Sequence, residues 1–160
     1  MGLRVNLRLL RERGERLVGE LASEEWASGY QDELVVPISP LRYDLEAELQ
    51  GENLFLKGPL SVRLNCTCGR CLKTYVETVT VSDFAAFIPL SGEDSLPSEG
   101  DIADLTALLR EDMYLALPAN PVCKPECRGL ARKADFQDSR LGSGSSGTSS
   151  PWSALDQLSL

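Results

Sequence analysis

The sequence predicts an α+β fold: an antiparallel β-sheet meander of about five or six strands, with one long packed helix and a flexible C-terminal arm. Apolar and polar residues alternate over several segments before residue 89, which is typical of half-buried strands. Apolar residues then recur at helical spacing between residues 102 and 116. Two close pairs of cysteines further predict a cysteine knuckle at one tip of the sheet.

The first part of the chain predicts short elements. Residues 3–9 alternate between leucine or valine and a polar residue, so they are expected to form a half-buried strand. A turn is expected over residues 11–15 and a second strand over residues 16–21. Ser23 is a residue type that caps helices, which predicts a short helical turn over residues 23–26.

The central part of the chain predicts the meander itself. Residues 35–38 are expected to form a short edge strand, because their proline has no N–H to donate. Residues 41–49 give the clearest strand, with leucine, tyrosine and alanine on one face and charged residues on the other. Residues 54–64 alternate again, and the Gly-Pro pair at 58–59 predicts a bulge in that strand.

The last predicted strand leads into a loop. Residues 66–71 are expected to turn the chain, and residues 73–88 to return as a strand. Residues 91–100 are acidic and rich in serine, glycine and proline, which predicts a mobile loop. One face of the returning strand is expected to carry Val76, Thr78, Thr80 and Phe84, and the opposite face Tyr75, Val79 and Val81.

The long helix is predicted after this loop. Asp101 is expected to cap its N-terminus, and Asp104 suits the positive end of the helix dipole. Pro118 is expected to end the helix, and Pro121 to keep the chain extended as far as Cys123. The apolar stripe of this helix consists of Ile102, Leu105, Leu108, Leu109, Met113 and Ala116.

Four of the five cysteines form two close pairs with 51 residues between them, Cys68 with Cys71 and Cys123 with Cys127. A short spacer lets two thiolates of one turn bind the same ion, and two such pairs are typical of a closed tetrahedral zinc site. Gly69 permits the sharp turn in the first pair. The sequence therefore predicts a structural zinc ion bound by these four cysteines.

Other interpretations of the cysteines stay open. Reduced cysteines also pack as small apolar side chains, and a metal site can decay. A redox-active Cys-x-x-Cys pair normally opens a helix in a βαβ unit, whereas Cys68 and Cys71 lie between two predicted strands. Cys66 is the odd cysteine, and we expect it to lie in the strand rather than to bind metal.

Composition excludes several classes of function. The chain has no histidine, which excludes Ser-His-Asp and Cys-His catalysis and the histidine-bearing catalytic zinc sites. It also lacks a P-loop and a G-x-G-x-x-G turn, so we expect no enzyme activity and no small-molecule substrate. No segment approaches the roughly 20 apolar residues of a membrane span, and residues 3–10 lack the apolar core of a signal peptide. A cytoplasmic location with reduced thiols and no membrane partner is expected.

The protein is acidic, with a net charge of -8, but its positive charge is concentrated. Residues 1–16, 63–73 and 124–133 each carry a net charge of +3. Two of these segments flank the cysteine pairs, so one basic patch is expected where the pairs meet. Ordinary solvated charges would give the same pattern.

The chain is predicted to divide into three parts. Residues 1–133 would form the α+β domain, residues 134–150 a flexible linker rich in glycine and serine, and residues 151–160 a short amphipathic segment. Ser150 and Pro151 are residue types that begin helices, which favours a helical turn there. The apolar side of this segment, which is the hypothesised partner-binding anchor, consists of Trp152, Leu155 and Leu158.

Several of these motifs together resemble the YceD family, bacterial large ribosomal RNA subunit accumulation proteins with relatives in plant organelles. They are C-x-R-C-L at 68–72, D-L-x-x-L-L-R-E at 104–111, L-A-L-P at 115–118 and C-x-x-x-C-R-G-L at 123–130. S-P-W-S-A-L at 150–155 resembles the closing segment of the family. The resemblance runs nearly end to end and implies an N-terminal strand pair. Many relatives continue after Gly-Leu with further cysteines, which this chain lacks, so the two pairs are its only candidate ligands.

The resemblance implies a non-enzymatic factor in large ribosomal subunit biogenesis, supporting synthesis, processing or accumulation of large-subunit ribosomal RNA. Its partner would be that RNA or its precursor, or a ribosomal assembly protein. The alternative is a protein-interaction adaptor with a structural zinc site and no RNA contact. For the first interpretation, the hypothesised RNA or phosphate contacts are Arg63, Arg70, Lys73, Lys124, Arg128, Arg132 and Lys133.

Overall fold

A computed structural model describes residues 2–93 and 95–130 of the chain. These residues form an α+β fold with two antiparallel sheets and three short helices. None of the helices in this part of the chain is long and apolar enough to cross a bilayer. The elements in order are β1 (Arg4–Asn6), α1 (Leu7–Glu12), β2 (Glu15–Leu21), α2 (Ser23–Trp26), β3 (Val35–Pro37), β4 (Leu41–Gln50), β5 (Asn53–Thr67), β6 (Thr74–Pro89), β7 (Ser98–Glu99), β8 (Ile102–Asp104) and α3 (Thr106–Ala116).

The larger sheet is built around β5. β6 pairs with β5 along its whole length, so that these two strands form a long hairpin. The opposite edge of β5 is shared, because β4 pairs with residues 53–61 and β3 with residues 64–66. β2 completes the five strands by pairing with β4. The predicted strands of the meander are therefore confirmed, including the short strand that contains Pro37.

The bulge predicted at residues 58–59 is also confirmed, and it corrects one predicted face. Gly58 pairs with Phe84 and Leu60 with Val81, so Ser82 and Asp83 together lie opposite a single residue of β5. The extra residue reverses the alternation along β6. Phe84 is consequently buried on the same side as Val81 rather than exposed with Thr80.

A smaller three-stranded sheet joins the two ends of the described chain, in the order β1–β8–β7. Two strands are present near the N-terminus, β1 and β2, but they do not pair with each other: β1 pairs with β8 and β2 pairs with β4. The strand predicted over residues 3–9 is also too long. The Asn6 side-chain oxygen accepts hydrogen bonds from the N–H groups of Arg8 (3.0 Å) and Leu9 (3.4 Å) and so caps α1.

The single long helix of the prediction is not what the structure shows. α3 has 11 residues and begins at Thr106, whereas Ile102–Asp104 pair with β1 as a strand. Local periodicity could not reveal this, because the partner strand lies about a hundred residues earlier in the chain. Asp101 does not cap α3; instead the Asp104 carboxylate accepts a hydrogen bond from the N–H of Thr106 (2.9 Å).

One hydrophobic core fills the space on the inner side of the larger sheet. Alternate residues of β4 and β5 point into it, as their burial patterns show. Leu109 and Met113 of α3 and Trp26 of α2 are fully buried in the same core. The opposite, outer face of β2, β4, β5 and β6 carries mostly exposed side chains. The long β5–β6 hairpin carries the first cysteine pair at its tip.

Candidate metal centre

The two cysteine pairs arrive at one place from different parts of the fold. Cys68 follows β5 directly, and Cys71 lies in the turn that leads into β6. The second pair follows α3 after an extended stretch that contains Pro118 and Pro121. We call residues 68–73 the first knuckle and residues 121–129 the second loop.

Backbone hydrogen bonds close the first knuckle tightly. The N–H of Cys68 donates to the carbonyl oxygen of Lys73 (2.9 Å), and the N–H of Leu72 donates to that of Cys68 (2.9 Å). The N–H of Arg70 points at the Cys68 sulfur, at 3.4 Å. N–H groups directed at a sulfur favour its thiolate form, which is the form that binds metal.

The second loop is held against the first knuckle by hydrogen bonds. The N–H of Gly69 donates to the carbonyl oxygen of Pro121 (2.9 Å). The Arg70 guanidinium donates from Nη1 to the carbonyl oxygens of Pro125 (3.4 Å) and Cys127 (3.3 Å). Gly129 passes so near the Arg70 carbonyl that an added Cβ would lie 3.4 Å from it. Arg70 therefore ties the two segments together.

The four sulfur atoms of Cys68, Cys71, Cys123 and Cys127 all lie within 4.8 Å of one another. The Cys68 and Cys127 sulfurs are 3.8 Å apart, and those of Cys71 and Cys123 are 3.7 Å apart. A regular tetrahedron with metal–sulfur bonds of about 2.3 Å has sulfur–sulfur edges of about 3.8 Å. These separations are far longer than the roughly 2.05 Å of a disulfide, and all four cysteines are free. The cluster could therefore hold a tetrahedral metal ion with four thiolate ligands.

The thiols of Cys68 and Cys123 differ in how easily they ionise. Hydrogen bonds from the backbone N–H groups of Cys123 and Cys71, in that order, lower the pKa of Cys68 to about 6. Burial, followed by hydrogen bonding with the Cys71 thiol, raises the pKa of Cys123 to about 12. Cys68 and Cys127 are buried, whereas Cys71 and Cys123 are partly exposed. Of Cys68 and Cys123, it is therefore Cys68 that more readily carries a negative charge.

Cys66 does not belong to this cluster. It lies in β5 opposite Tyr75 and is fully buried, which confirms the expectation that it lies in the strand. Its sulfur is 3.9 Å from a carboxylate oxygen of Glu77. Burial first, and then the charge of Glu77, raise the pKa of Cys66. A neutral thiol in this position packs as part of the core.

The basic residues named from the sequence occupy different positions. Lys73, Lys124 and Arg128 are exposed on the first knuckle and second loop, and within residues 2–93 and 95–130 no carboxylate pairs with them. We call these three the knuckle cations. Arg63 lies in β5 five residues before Cys68, which is about 16 Å along an extended strand. Arg132 and Lys133, like Trp152, Leu155 and Leu158, lie outside the described residues.

The sequence did not reveal how the two cysteine segments are joined. Arg70 is one of the predicted RNA contacts, but its observed hydrogen bonds go to the carbonyl oxygens of Pro125 and Cys127. Neither the Pro121 carbonyl nor Gly129 carried a recognisable signal of its role. A glycine two residues after the last cysteine is a weak indication that another segment passes close to the backbone, and Gly129 does allow the Arg70 carbonyl to approach.

A family model described as "Large ribosomal RNA subunit accumulation protein YceD" matches residues 56–159, which is more than half of the chain. The match begins within β5, so it includes both cysteine pairs and all of α3 but not β1 to β4. It is therefore shorter than the nearly end-to-end resemblance expected from the motifs. No curated protein and no solved structure matches the chain.

Proposed function

The chain belongs to the YceD family of large ribosomal RNA subunit accumulation proteins, and from this membership we propose that it is a non-enzymatic factor in large ribosomal subunit biogenesis. It would support the synthesis, processing or accumulation of large-subunit ribosomal RNA in the cytoplasm. The observation that carries the proposal is the family match over the segment that contains the cysteine cluster. The absence of histidine from the sequence supports a role without Ser-His-Asp or Cys-His catalysis.

We further propose that the cluster binds zinc and that the ion is structural. Four thiolates in a closed tetrahedral arrangement are the usual ligand set of structural zinc sites, and they leave no position open for substrate. The sulfur–sulfur separations of 3.7 and 3.8 Å support this assignment. The ion would fasten the tip of the β5–β6 hairpin to the segment after α3.

The knuckle cations are the proposed contacts with ribosomal RNA. Three exposed positive charges around the proposed metal site, against the one exposed acid of the second loop, Glu126, offer phosphates a surface of net positive charge. Arg70 would contribute its charge while it holds the second loop. Arg63, Arg132 and Lys133 remain proposed contacts of the same kind.

The experiment that tests the RNA contact is a comparison of two triple variants with the same change in charge. Lys73→Gln/Lys124→Gln/Arg128→Gln removes the knuckle cations. Arg16→Gln/Arg42→Gln/Lys57→Gln removes three cations of the sheet that are already paired with acids. Binding of an in vitro transcript of the large-subunit ribosomal RNA is measured between 50 and 200 mM salt. Over this range, proteins with many phosphate contacts are expected to lose affinity by roughly 10³-fold or more.

We expect the knuckle variant to bind the transcript more weakly and with a salt dependence reduced by about one unit of slope per cation removed. The sheet variant should bind like the wild type. In cells depleted of the protein, large-subunit RNA should fall relative to small-subunit RNA, and the knuckle variant should fail to restore it. Equal binding by the two triple variants would contradict the assigned RNA surface. An unchanged RNA ratio in depleted cells would contradict the proposed function.

The second candidate is a protein-interaction adaptor whose zinc site is structural and which makes no RNA contact. The observation that favours it is the exposure of large apolar side chains beside the cluster, Leu72 and Leu130. The segment over residues 151–160, with Trp152, Leu155 and Leu158, would be its other anchor. Under this proposal, a protein partner stays bound after nuclease treatment and is lost when residues 151–160 are deleted.

A further inference from the structure

Leu72, in the first knuckle, has an unusual backbone conformation. Its φ is 61°, and it is the only residue other than glycine with a positive φ among the described residues. In this region the Cβ of an L-residue approaches the neighbouring carbonyl oxygen, so a bulky side chain is unfavourable there. Glycine has no Cβ and adopts the same conformation without this penalty.

The closure of the knuckle explains why position 72 must adopt this conformation. Leu72 donates its N–H to the carbonyl oxygen of Cys68, and the next residue, Lys73, accepts a hydrogen bond from the N–H of Cys68. The chain reverses between these two bonds and enters β6 at Thr74. The turn requires the left-handed backbone but not the leucine side chain, and glycine would stabilise the turn better.

Burial in the core does not offset this unfavourable conformation. The Leu72 side chain is 59% exposed, whereas the leucines of the core, such as Leu60 and Leu64, are fully buried. A strained and exposed leucine contributes little to folding. Residues held in such conformations occur preferentially where the side chain serves binding or catalysis.

The surroundings of Leu72 combine apolar surface with positive charge. Lys73 is its neighbour in sequence, and the second loop, which brings Lys124 and Arg128, is hydrogen-bonded to the same knuckle. Within the described residues no carboxylate neutralises these cations. An apolar side chain among cations suits a partner that offers phosphates and flat apolar surfaces together. Unpaired nucleotides of RNA have both features, because their base faces are accessible.

We propose that Leu72 packs against an exposed base of unpaired RNA while the knuckle cations hold the neighbouring phosphates. Apolar side chains, leucine among them, are known to contact or separate stacked bases in nucleic-acid complexes. The proposal rests on the RNA contact put forward above, and it adds the kind of RNA that is bound. In a continuous duplex the base faces are covered by stacking, so Leu72 would have nothing to contact there.

Leu72→Gly is the decisive variant, because it removes the side chain and also relieves the backbone conformation. We expect the variant to melt at the same temperature as the wild type or higher. Its affinity for a fluorescein-labelled large-subunit ribosomal RNA transcript should fall about tenfold, as expected for losing the burial of one leucine side chain. The salt dependence of binding should be unchanged, since no phosphate contact is lost.

Two controls make the result specific. Leu9→Ala removes a leucine of similar exposure, 56%, on α1, and it should leave RNA binding unchanged. A fully paired RNA duplex should bind the wild type and Leu72→Gly equally, because only the cations contact it. A purely structural role for Leu72 predicts that Leu72→Gly has a lower melting temperature and an unchanged RNA affinity.

The outcomes separate this proposal from the function on which it rests. If the wild type does not bind the transcript, the RNA contact itself is overturned, and so is the proposed role of Leu72. If the wild type binds and Leu72→Gly binds equally well, only the role of Leu72 is overturned. If Leu72→Gly keeps RNA affinity but loses a protein partner, the side chain belongs to a protein interface and the proposal is likewise wrong.

Discussion

The outer face of the larger sheet and the cysteine knuckle both carry exposed cations, but these differ in what surrounds them. On the sheet three cations lie beside an acid, with Arg16 at 2.6 Å from Asp44, Arg42 at 2.8 Å from Glu20 and Lys57 at 2.9 Å from Glu46, whereas Arg63 of β5 has no ion pair among the described residues. The knuckle cations have no such partner among the described residues. Exposed positive charge by itself therefore does not identify a binding surface. The distinguishing feature is whether the protein already neutralises it.

The two regions also differ in what fixes their geometry. The sheet is held by backbone pairing and by the core beneath it, so its ion pairs add little to stability. The knuckle has only a few hydrogen bonds between its two segments, and those segments come from distant parts of the sequence. We therefore expect a metal ion to matter for the knuckle and charge pairing to matter little for the sheet.

The largest effect is expected from removing a metal ligand. Cys123→Ser should lose bound zinc and lower the melting temperature by roughly 10 °C or more, because metal binding is coupled to folding. Cys66→Ala is the matched control, since Cys66 lies outside the cluster; it should keep one equivalent of zinc. Elemental analysis and calorimetry measure both quantities. A Cys123→Ser protein with the melting temperature and zinc content of the wild type would contradict the site.

A smaller effect is expected at the bulge of β5. Gly58 has a φ of 145°, and an added Cβ would collide with the carbonyl oxygen of Asp44 in the neighbouring strand. Gly58→Ala should therefore destabilise the domain by about 2 kcal/mol or more. Gly51 also has a positive φ, but an added Cβ there meets nothing within 4 Å, so Gly51→Ala should cost only about 1 kcal/mol. Urea denaturation of both variants tests whether Gly58→Ala loses more unfolding free energy than Gly51→Ala. Equal losses would show that the collision between the added Cβ and the Asp44 carbonyl oxygen is relieved.

The smallest effect is expected from the ion pairs of the sheet. The hydrogen bond from Arg16 is the main cause that lowers the pKa of Asp44 below its usual value. The Asp44 carboxyl has a pKa of about 3.9 in the unfolded chain and a lower pKa in the folded protein. Any stability that the ion pair contributes is therefore fully present above the unfolded-state pKa, and it is lost as the pH falls through the folded-state pKa. The urea midpoint of Asp44→Asn should lie slightly below that of the wild type at pH 7, and the difference should vanish near pH 2. A difference in urea midpoint that is larger at low pH than at pH 7 would contradict the assigned ion pair between Arg16 and Asp44.

The sequence predicted the long strands well because their information is local. The alternation of residues 41–49 and 54–64 is visible without knowing any partner strand, and the Gly-Pro bulge has its own signature. The grouping of Cys68, Cys71, Cys123 and Cys127 followed from spacing, and the structure brings their sulfurs together. Whether they bind zinc stays a prediction.

Some failures come from contacts between distant residues, and others from local backbone conformations that residue types do not show. Ile102–Asp104 continue the helical periodicity of α3, but pairing with β1 makes them a strand. The short polar cap at Asn6 outweighed the alternation of residues 3–9. Arg70 was predicted to contact RNA and Leu72 was noted only as part of a motif, because neither a carbonyl partner in the second loop nor a left-handed backbone is visible in residue types.

The pairing of β1 with β8 has a consequence for how the protein is made. The N–H of Leu3 donates to the Thr106 hydroxyl, and the N–H of Leu105 donates to the Leu3 carbonyl, so the first strand synthesised has its partners about a hundred residues later. During translation β1 remains unpaired until residues 102–106 have left the ribosome. The ligands Cys123 and Cys127 follow later still. Contacts between residues far apart in sequence slow folding, and this domain closes only after its residues 102–106 have been made.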